Sequence, residues 1–236
     1  MSPKRLVIMV EGEGDKEAAL ILVKRLLVEQ SGFDAVFLDP HPMKIGHYAE
    51  VCKKENGKPF GKWLRLLQKC WKRSNLGGVL LLLDGDSDYV WNASGPVKTQ
   101  PFCAMQAAKI LAQEARKVGA GSQFSVAVVF ACQEFESWFI AAANCFVGKH
   151  FSDKRIVLPQ QVTSIPSNPE ISPRDAKGWL AARIPTGYNP ARDQKDLAEM
   201  VDLNLVRQRM RSFQRLENAV KELVHAIRTG QPICTP

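Results

Sequence analysis

Carboxylates in this sequence collect at three places where they could do chemistry. Glu11, Glu13 and Asp15 follow the apolar run Leu6–Val10; Asp84, Asp86 and Asp88 follow Val79–Leu83; Glu134 and Glu136 follow Phe124–Phe130. Short β-branched or leucine-rich runs of this kind read as buried parallel strands. In an open α/β sheet, functional groups gather just beyond the carboxyl ends of the strands. Acidic residues at three such ends would meet on one edge. Their mutual repulsion then calls for cations, and hard oxygen ligands suit Mg²⁺ or Mn²⁺.

Each group also has a plainer use. Asp84-Gly85-Asp86-Ser87-Asp88 would serve as a solvated turn, its aspartates forming Asx-turns around a Gly85 of positive φ. An EF-hand is excluded, because Tyr89 and Gly95 stand where its sixth-position glycine and twelfth-position glutamate belong. Glu11 could simply cap the next helix, with Asp15 in its first turn, and Glu134 and Glu136 would be favoured at any helix start by the dipole. Two phosphate-loop readings fail at Glu11–Asp15. The segment lacks the Gly-Lys-Ser/Thr of a Walker A loop, and Glu17 occupies the third glycine position of a dinucleotide fingerprint. The coincidence of three acidic strand ends outweighs the separate plain readings.

The elements that must position these groups follow from periodicity. Asp15–Gln30 reads as a helix with Ala18, Leu22, Leu26, Val23 and Leu27 on one face. Ala35–Leu38 is a strand stopped by Asp39-Pro40, and the polar stretch Met43–Pro59 reads as a long loop or lid. Helices are expected over Phe60–Arg73, Pro101–Val118 and Glu134–Cys145. This strand–helix alternation predicts an α/β fold with an open, mainly parallel sheet. Six prolines between Pro159 and Pro190 break up the region after residue 150, and Asp202–Arg228 regains helical periodicity. The expected organisation is a catalytic core over residues 1–150 and a helical appendage over 151–236.

Of 236 residues, 45% are hydrophobic and 24% charged, the composition of an ordinary globular protein. No apolar run reaches the roughly 18 residues of a membrane span, and Leu6–Val10 is too short for a secretory signal, so a cytoplasmic location is expected. The six cysteines have no paired spacing, which suits reduced thiols rather than disulfides or zinc. A net charge of +8 favours a polyanionic partner, nucleic acid first. Lys62, Arg65, Lys69 and Lys72 form a basic helical face flanked by Trp63 and Trp71, which could stack on bases. Alternatively, the tryptophans are buried and the basic side is solvated. Arg207, Arg211 and Arg215 make a second stripe for phosphates, an acidic partner or plain solvent. The histidines, His41, His47, His150 and His225, show no metal-ligand pairing.

At the acidic strand ends the sequence resembles the Toprim superfamily of topoisomerases, bacterial primases and OLD-type nucleases. The carrying pattern is strand–Glu-Gly-x-x-Asp–helix followed by strand–Asp-x-Asp, with Val10–Lys16 (V-E-G-E-G-D-K) close to the nuclease version. The remainder resembles a Toprim-like domain-of-unknown-function family numbered 4276, at Glu134-x-Glu136-x-Trp138 and at Asp193–Phe213, which ends in Ser212-Phe213. Two departures stand out: Asp15 replaces a more usual glutamate, and Gly14 a small hydroxyl residue. The resemblance implies a Toprim-like sheet flanked by helices, and phosphodiester hydrolysis in DNA with two Mg²⁺ or Mn²⁺ ions. Catalysis would then fall to Glu11, Asp15, Asp84 and Asp86. Glu11 and Asp84 would be bridging or direct metal ligands and Asp86 would hold one ion, with Asp88, Glu134 and Glu136 among the groups completing the shells. Lys16 could assist transition-state charge or merely be solvated. Relatives of this kind imply a separate ATPase subunit and a role in bacterial anti-phage defence. A non-catalytic subunit binding nucleic acid or that ATPase is the alternative. A primase ranks last, since no nucleotide-binding loop is present.

Overall fold

The computed structural model describes residues 2–236, and in it the apolar runs become one parallel sheet. Strand β1 (Lys4–Val10) leads into α1 (Gly14–Glu29), then the short strands β2 (Val36–Leu38) and β3 (Met43–Lys44). Helices α2 (Tyr48–Cys52) and α3 (Gly61–Trp71) precede β4 (Leu76–Asp84), all nine of whose residues are buried. A hairpin of β5 (Tyr89–Asn92) and β6 (Gly95–Pro101) leads to α4 (Ala104–Arg116) and β7 (Ser125–Ala131). The chain then forms α5 (Ser137–Ala141), α6 (Ala176–Ala181), α7 (Pro190–Met200), α8 (Leu203–Arg209), α9 (Arg211–Thr229) and β8 (Cys234–Thr235).

The sheet order is β2-β1-β4-β7-β8, with β3 pairing β1 beyond β2, and every pairing is parallel. Alternate residues of the central strands feed two separate cores, as the two-residue period of a strand requires. Leu6, Ile8, Val10, Leu80, Leu82, Ala127 and Val129 pack against α1, α5 and the C-terminal helices. Val7, Met9, Val79, Leu81, Leu83, Val126 and Val128 pack against α2, α3 and α4. The expected α/β class with a parallel sheet and C-terminal helices is therefore what forms. No helix among the described residues is long and apolar enough to cross a membrane.

Several boundaries differ from expectation for identifiable reasons. The stretch Met43–Pro59 is not a bare loop: it holds β3 and α2, because Ile45, Tyr48, Val51 and Cys52 reach the core. The polar residues 89–101 fold as a hairpin, anchored where Trp91 N donates to the Tyr48 hydroxyl at 3.1 Å. The helix expected over Glu134–Cys145 shortens to α5 followed by a 3-10 turn at Ala143–Phe146. The C-terminal periodic stretch splits at Met210, whose extended backbone separates α8 from α9.

Helices α1 and α7 meet at their N-termini, and this contact explains the glycine at position 14. A Cβ there would stand 2.8 Å from Gln194 Oε1 and 2.8 Å from the Pro190 carbonyl carbon. Asn189 caps α7 by accepting from Arg192 N, and Pro190 suits the first helical position. Gly14→Ser is expected to lower stability by about 1–3 kcal/mol through overpacking. Urea unfolding followed by circular dichroism measures it; an unchanged midpoint would contradict the close packing.

Candidate functional site

The parallel register carries the carboxylates to one edge. Val10 aligns with Leu82 and Asp84 with Ala131, so Glu11, Asp84 and the β7 exit lie side by side. Asp84 N donates to Glu11 Oε2 at 3.3 Å, joining the first two. After β7 the chain turns sharply through Gln133, held at φ 63°. The turn brings Phe135 N to Asp84 Oδ1 at 2.8 Å. Gly85 does not adopt the positive φ of a solvated Asx-turn; its N donates to Ala131 O at 2.8 Å, and a Cβ would meet that oxygen at the same distance. The Asp-Gly-Asp segment is thus tied to the neighbouring strand.

Asp15 closes the first turn. Its Oδ2 accepts from Gly12 N at 2.7 Å, and its Oδ1 accepts from Gln194 Nε2 at 2.8 Å. Glu136 is fully buried. Its Oε1 accepts from the Tyr188 hydroxyl at 3.0 Å and from Gln194 Nε2 at 3.5 Å. Its Oε2 makes no hydrogen bond, although Lys177 Nζ lies 3.4 Å away as an ion-pair partner.

Lys177 stands among three of the carboxylates. Its ammonium is 2.7 Å from Glu134 Oε1, 3.4 Å from Glu136 Oε2 and 3.6 Å from Asp84 Oδ2. Glu134 Oε2 meanwhile accepts from Ala176 N at 2.7 Å and Lys177 N at 3.1 Å, so Glu134 holds the start of α6 in place. The N-terminus of α7 is fixed independently. The fully buried Asp193 side chain pairs with Arg155 and Arg192, each at 2.6 Å.

Burial and like charge set the electrostatics. Burial, then the charge of Asp86, pushes Glu11 up to about 7. Asp84 is driven well above the carboxylate range by burial and then by Glu11 and Glu136. Burial pushes Glu136 up to about 7 against the pull of Lys177. Burial disfavours the charge on Lys177, but Glu136, Asp84 and Glu134 outweigh it and hold the amine protonated.

The structure therefore brings together Glu11, Asp15, Asp84, Glu134 and Glu136. Asp86 is exposed and coupled to Glu11 by charge. Asp88 is also exposed, and with Asp86 it lines an open cavity of about 480 Å³ that includes Phe102, Gln133 and Arg174. Lys16 pairs with Glu13 at 2.7 Å. Lys177, Tyr188 and Gln194 were not foreseen. Lys177 and Tyr188 come from the proline-broken region, where the local signals are the capping residues Asp175 and Asn189, and Gln194 lies in the Asp193–Phe213 stretch.

The expected basic helix forms as α3, but its charges are unequal. Lys62 pairs with Glu50 at 3.1 Å and Arg65 with Glu55 at 2.9 Å, whereas Lys69 and Lys72 are exposed. Lys62 lies beside Gly46, whose N donates to Glu11 O, so that end of α3 adjoins the carboxylate edge. Lys69 and Lys72 lie at the opposite edge, where Trp71 stacks on Phe124 at 5.5 Å ahead of β7. Trp63 is wholly buried and donates to Leu111 O at 3.0 Å, which removes it as a base-stacking platform. In the second stripe, Arg207 pairs with Glu29 and Glu217 and Arg215 with Glu222, which leaves Arg211 as the exposed member.

Whether the edge suits a divalent cation is decided by its oxygens. The donors are carboxylates, the chemistry Mg²⁺ prefers. Glu11 and Asp84 are raised by burial first and by like charge second, and a cation beside them would offset both. The oxygen donors present fit a hard cation, which Glu11, Asp84 and Asp86 would hold. Among the described residues, no three His, Cys, Asp or Glu side chains close into a ready metal cage. The positive charge at the cluster is the Lys177 ammonium.

A pH dependence follows. Glu11 and Glu136 titrate near 7 in the folded chain against an ordinary value of 4.5, so folded protein holds more protons between those values. Their contribution to stability is complete below 4.5 and is lost as pH rises through about 7. In chelator, urea midpoints are expected to fall across that window, and Glu11→Gln is expected to flatten the fall. A pH-independent difference between variant and wild type would refute the shift at Glu11.

No curated protein and no solved structure matches the chain. The family model described as Domain of unknown function (DUF4276) matches residues 10–221, a span that includes Glu11, Asp15, Asp84, Asp86, Glu134, Glu136, Lys177 and Gln194. With most of its length covered by that match, the chain belongs to the DUF4276 family.

Proposed function

We propose that the chain is a Toprim-type, Mg²⁺- or Mn²⁺-dependent nuclease that hydrolyses phosphodiester bonds in DNA. The observation that carries this reading is the junction of two adjacent parallel strands. There Glu11 ends β1, Asp84 ends β4, a hydrogen bond joins them, and Asp86 follows two residues on. That arrangement answers the Glu-then-Asp-x-Asp pattern of the superfamily, with Asp15 bracing the turn after Glu11. The reading as effector of an anti-phage complex with a separate ATPase subunit rests on the sequence resemblance alone.

In this reading Glu11, Asp84 and Asp86 hold the cation. When bound, it would supply a Lewis acid that polarises a phosphoryl oxygen and helps orient the attacking water. Glu11, pushed up to about 7, would have to give up its proton to hold the cation, so affinity is expected to rise with pH through that range. Phe135 N and Asp84 N fix the two carboxylates from behind, keeping their geometry when substrate arrives. Nucleic acid reaches the site along the Lys62 end of α3, and the net charge of +8 assists its approach. A second reading, a non-catalytic subunit, is favoured by one observation: Lys177 already neutralises part of the cluster.

Calorimetric Mg²⁺ or Mn²⁺ titration and plasmid cleavage on the same samples separate the two. Asp84→Ala with Asp86→Ala is expected to abolish metal binding and to lower cleavage by more than about 100-fold, beyond the effect of losing a supporting contact. A folded wild-type chain that binds no divalent ion at millimolar concentration would instead establish the non-catalytic reading. If α3 tracks DNA along its length, Lys69→Ala with Lys72→Ala will reduce the salt slope of binding by about 1 per lost phosphate contact, with metal affinity unchanged. An unaltered slope confines DNA contact to the Lys62 end.

A further inference from the structure

We infer that Lys177 is a built-in cation standing in for one of two divalent ions, so that this site takes a single exchangeable ion at Glu11, Asp84 and Asp86. The inference rests on the metal-dependent reading above and departs from the two-ion arrangement that the resemblance implies.

Three features carry it. The first is placement. One ammonium lies within 3.6 Å of Asp84, Glu134 and Glu136, carboxylates delivered by two different strand ends. An ammonium carries three donors and no acceptor, so it can face all three acids at once.

The second is that the lysine is anchored rather than draped over the surface. Glu134 grips the amides of Ala176 and Lys177 with one oxygen and the ammonium with the other. Asp175 accepts from Gly178 N at 2.7 Å and closes the same turn. A flexible surface lysine would have none of these restraints on its backbone.

The third is that few oxygens remain on this side of the cluster. Both Glu134 oxygens are engaged, Glu136 Oε1 accepts from Tyr188 and Gln194, and Asp84 Oδ1 accepts from Phe135 N. Of the two that remain, Glu136 Oε2 is buried without a hydrogen bond 3.4 Å from the ammonium, and Asp84 Oδ2 lies 3.6 Å from it. A divalent ion there would have to displace Lys177 and would meet its charge at close range. On the other side, Asp86 is exposed and Glu11 has only the 3.3 Å contact from Asp84 N, so ligands for one ion remain. The Lys177 side chain keeps 40% of its surface exposed. A fixed positive charge at that point stabilises charge developing on a phosphoryl oxygen without reorganisation.

The test is metal stoichiometry on the full chain, by Mn²⁺ calorimetry and by electron paramagnetic resonance. Two Mn²⁺ ions about 4 Å apart are spin-coupled, and a single one is not. Wild type is expected to bind one ion with an uncoupled spectrum. Lys177→Met is expected to bind two with a coupled spectrum, and Lys177→Arg to remain at one. Two coupled ions in wild type would overturn the inference while leaving the metal-dependent reading intact, and that measurement needs no variant. One ion in Lys177→Met would also overturn it. No binding in wild type or variant would remove both the inference and the reading beneath it.

Discussion

Like charges gathered at one edge of a sheet repel, and the fold must supply whatever holds them there. The parallel pairing of β1, β4 and β7 brings Glu11, Asp84 and the residues after Ala131 together regardless of that repulsion. Backbone amides then take up the load: Gly12 N serves Asp15, Asp84 N serves Glu11, and Phe135 N serves Asp84. Amides alone leave the cluster strongly negative, and Lys177 supplies the missing positive charge. Removing Lys177 would leave the buried carboxylates of Glu136 and Asp84 without that counter-charge, a cost that the lysine's own partial exposure reduces. The α6 turn that carries Lys177 is therefore as much a part of the site as the strands that carry the acids.

The C-terminal helices take part in the same arrangement. Gln194 on α7 links Asp15 to Glu136, and Tyr188 just ahead of α7 reaches Glu136 as well. Their aim depends on the N-terminus of α7, which Asp193 fastens through Arg155 and Arg192. Gly14 permits the approach of α1 to this point. Gly14, Arg155 and the Tyr188–Gln194 segment thus set the positions of two carboxylates, Asp15 and Glu136.

The parts of this arrangement that sequence reveals are those with a local cause. β4 and β7 are buried on both faces, so they appear as unbroken apolar runs, and the acids at their exits are visible beside them. Lys177 has no such signature. A lysine after a capping aspartate is ordinary, and only the packing of α6 beneath the strand ends gives it a role. Periodicity shows the stripe Lys62, Arg65, Lys69 and Lys72 but not its direction relative to the sheet, which places Lys62 near the acids and Lys72 far from them. The polar stretches at 43–59 and 89–101 hid short elements because a few residues, Tyr48 and Val90 among them, fix them to the core.

The two faces of the sheet differ in when their cover becomes available during synthesis. The face bearing Val7, Met9, Val79 and Leu81 is covered by helices that emerge before β7, with only Cys234 added late. The face bearing Leu6, Ile8, Leu80 and Leu82 needs Leu197, Val206, Phe213, Leu216, Val220 and Leu223 from helices that emerge after it. A ribosome-bound chain that has just released β7 therefore displays one finished side and one greasy, unfinished side. Such exposure attracts chaperones or other nascent chains until α7 to α9 dock.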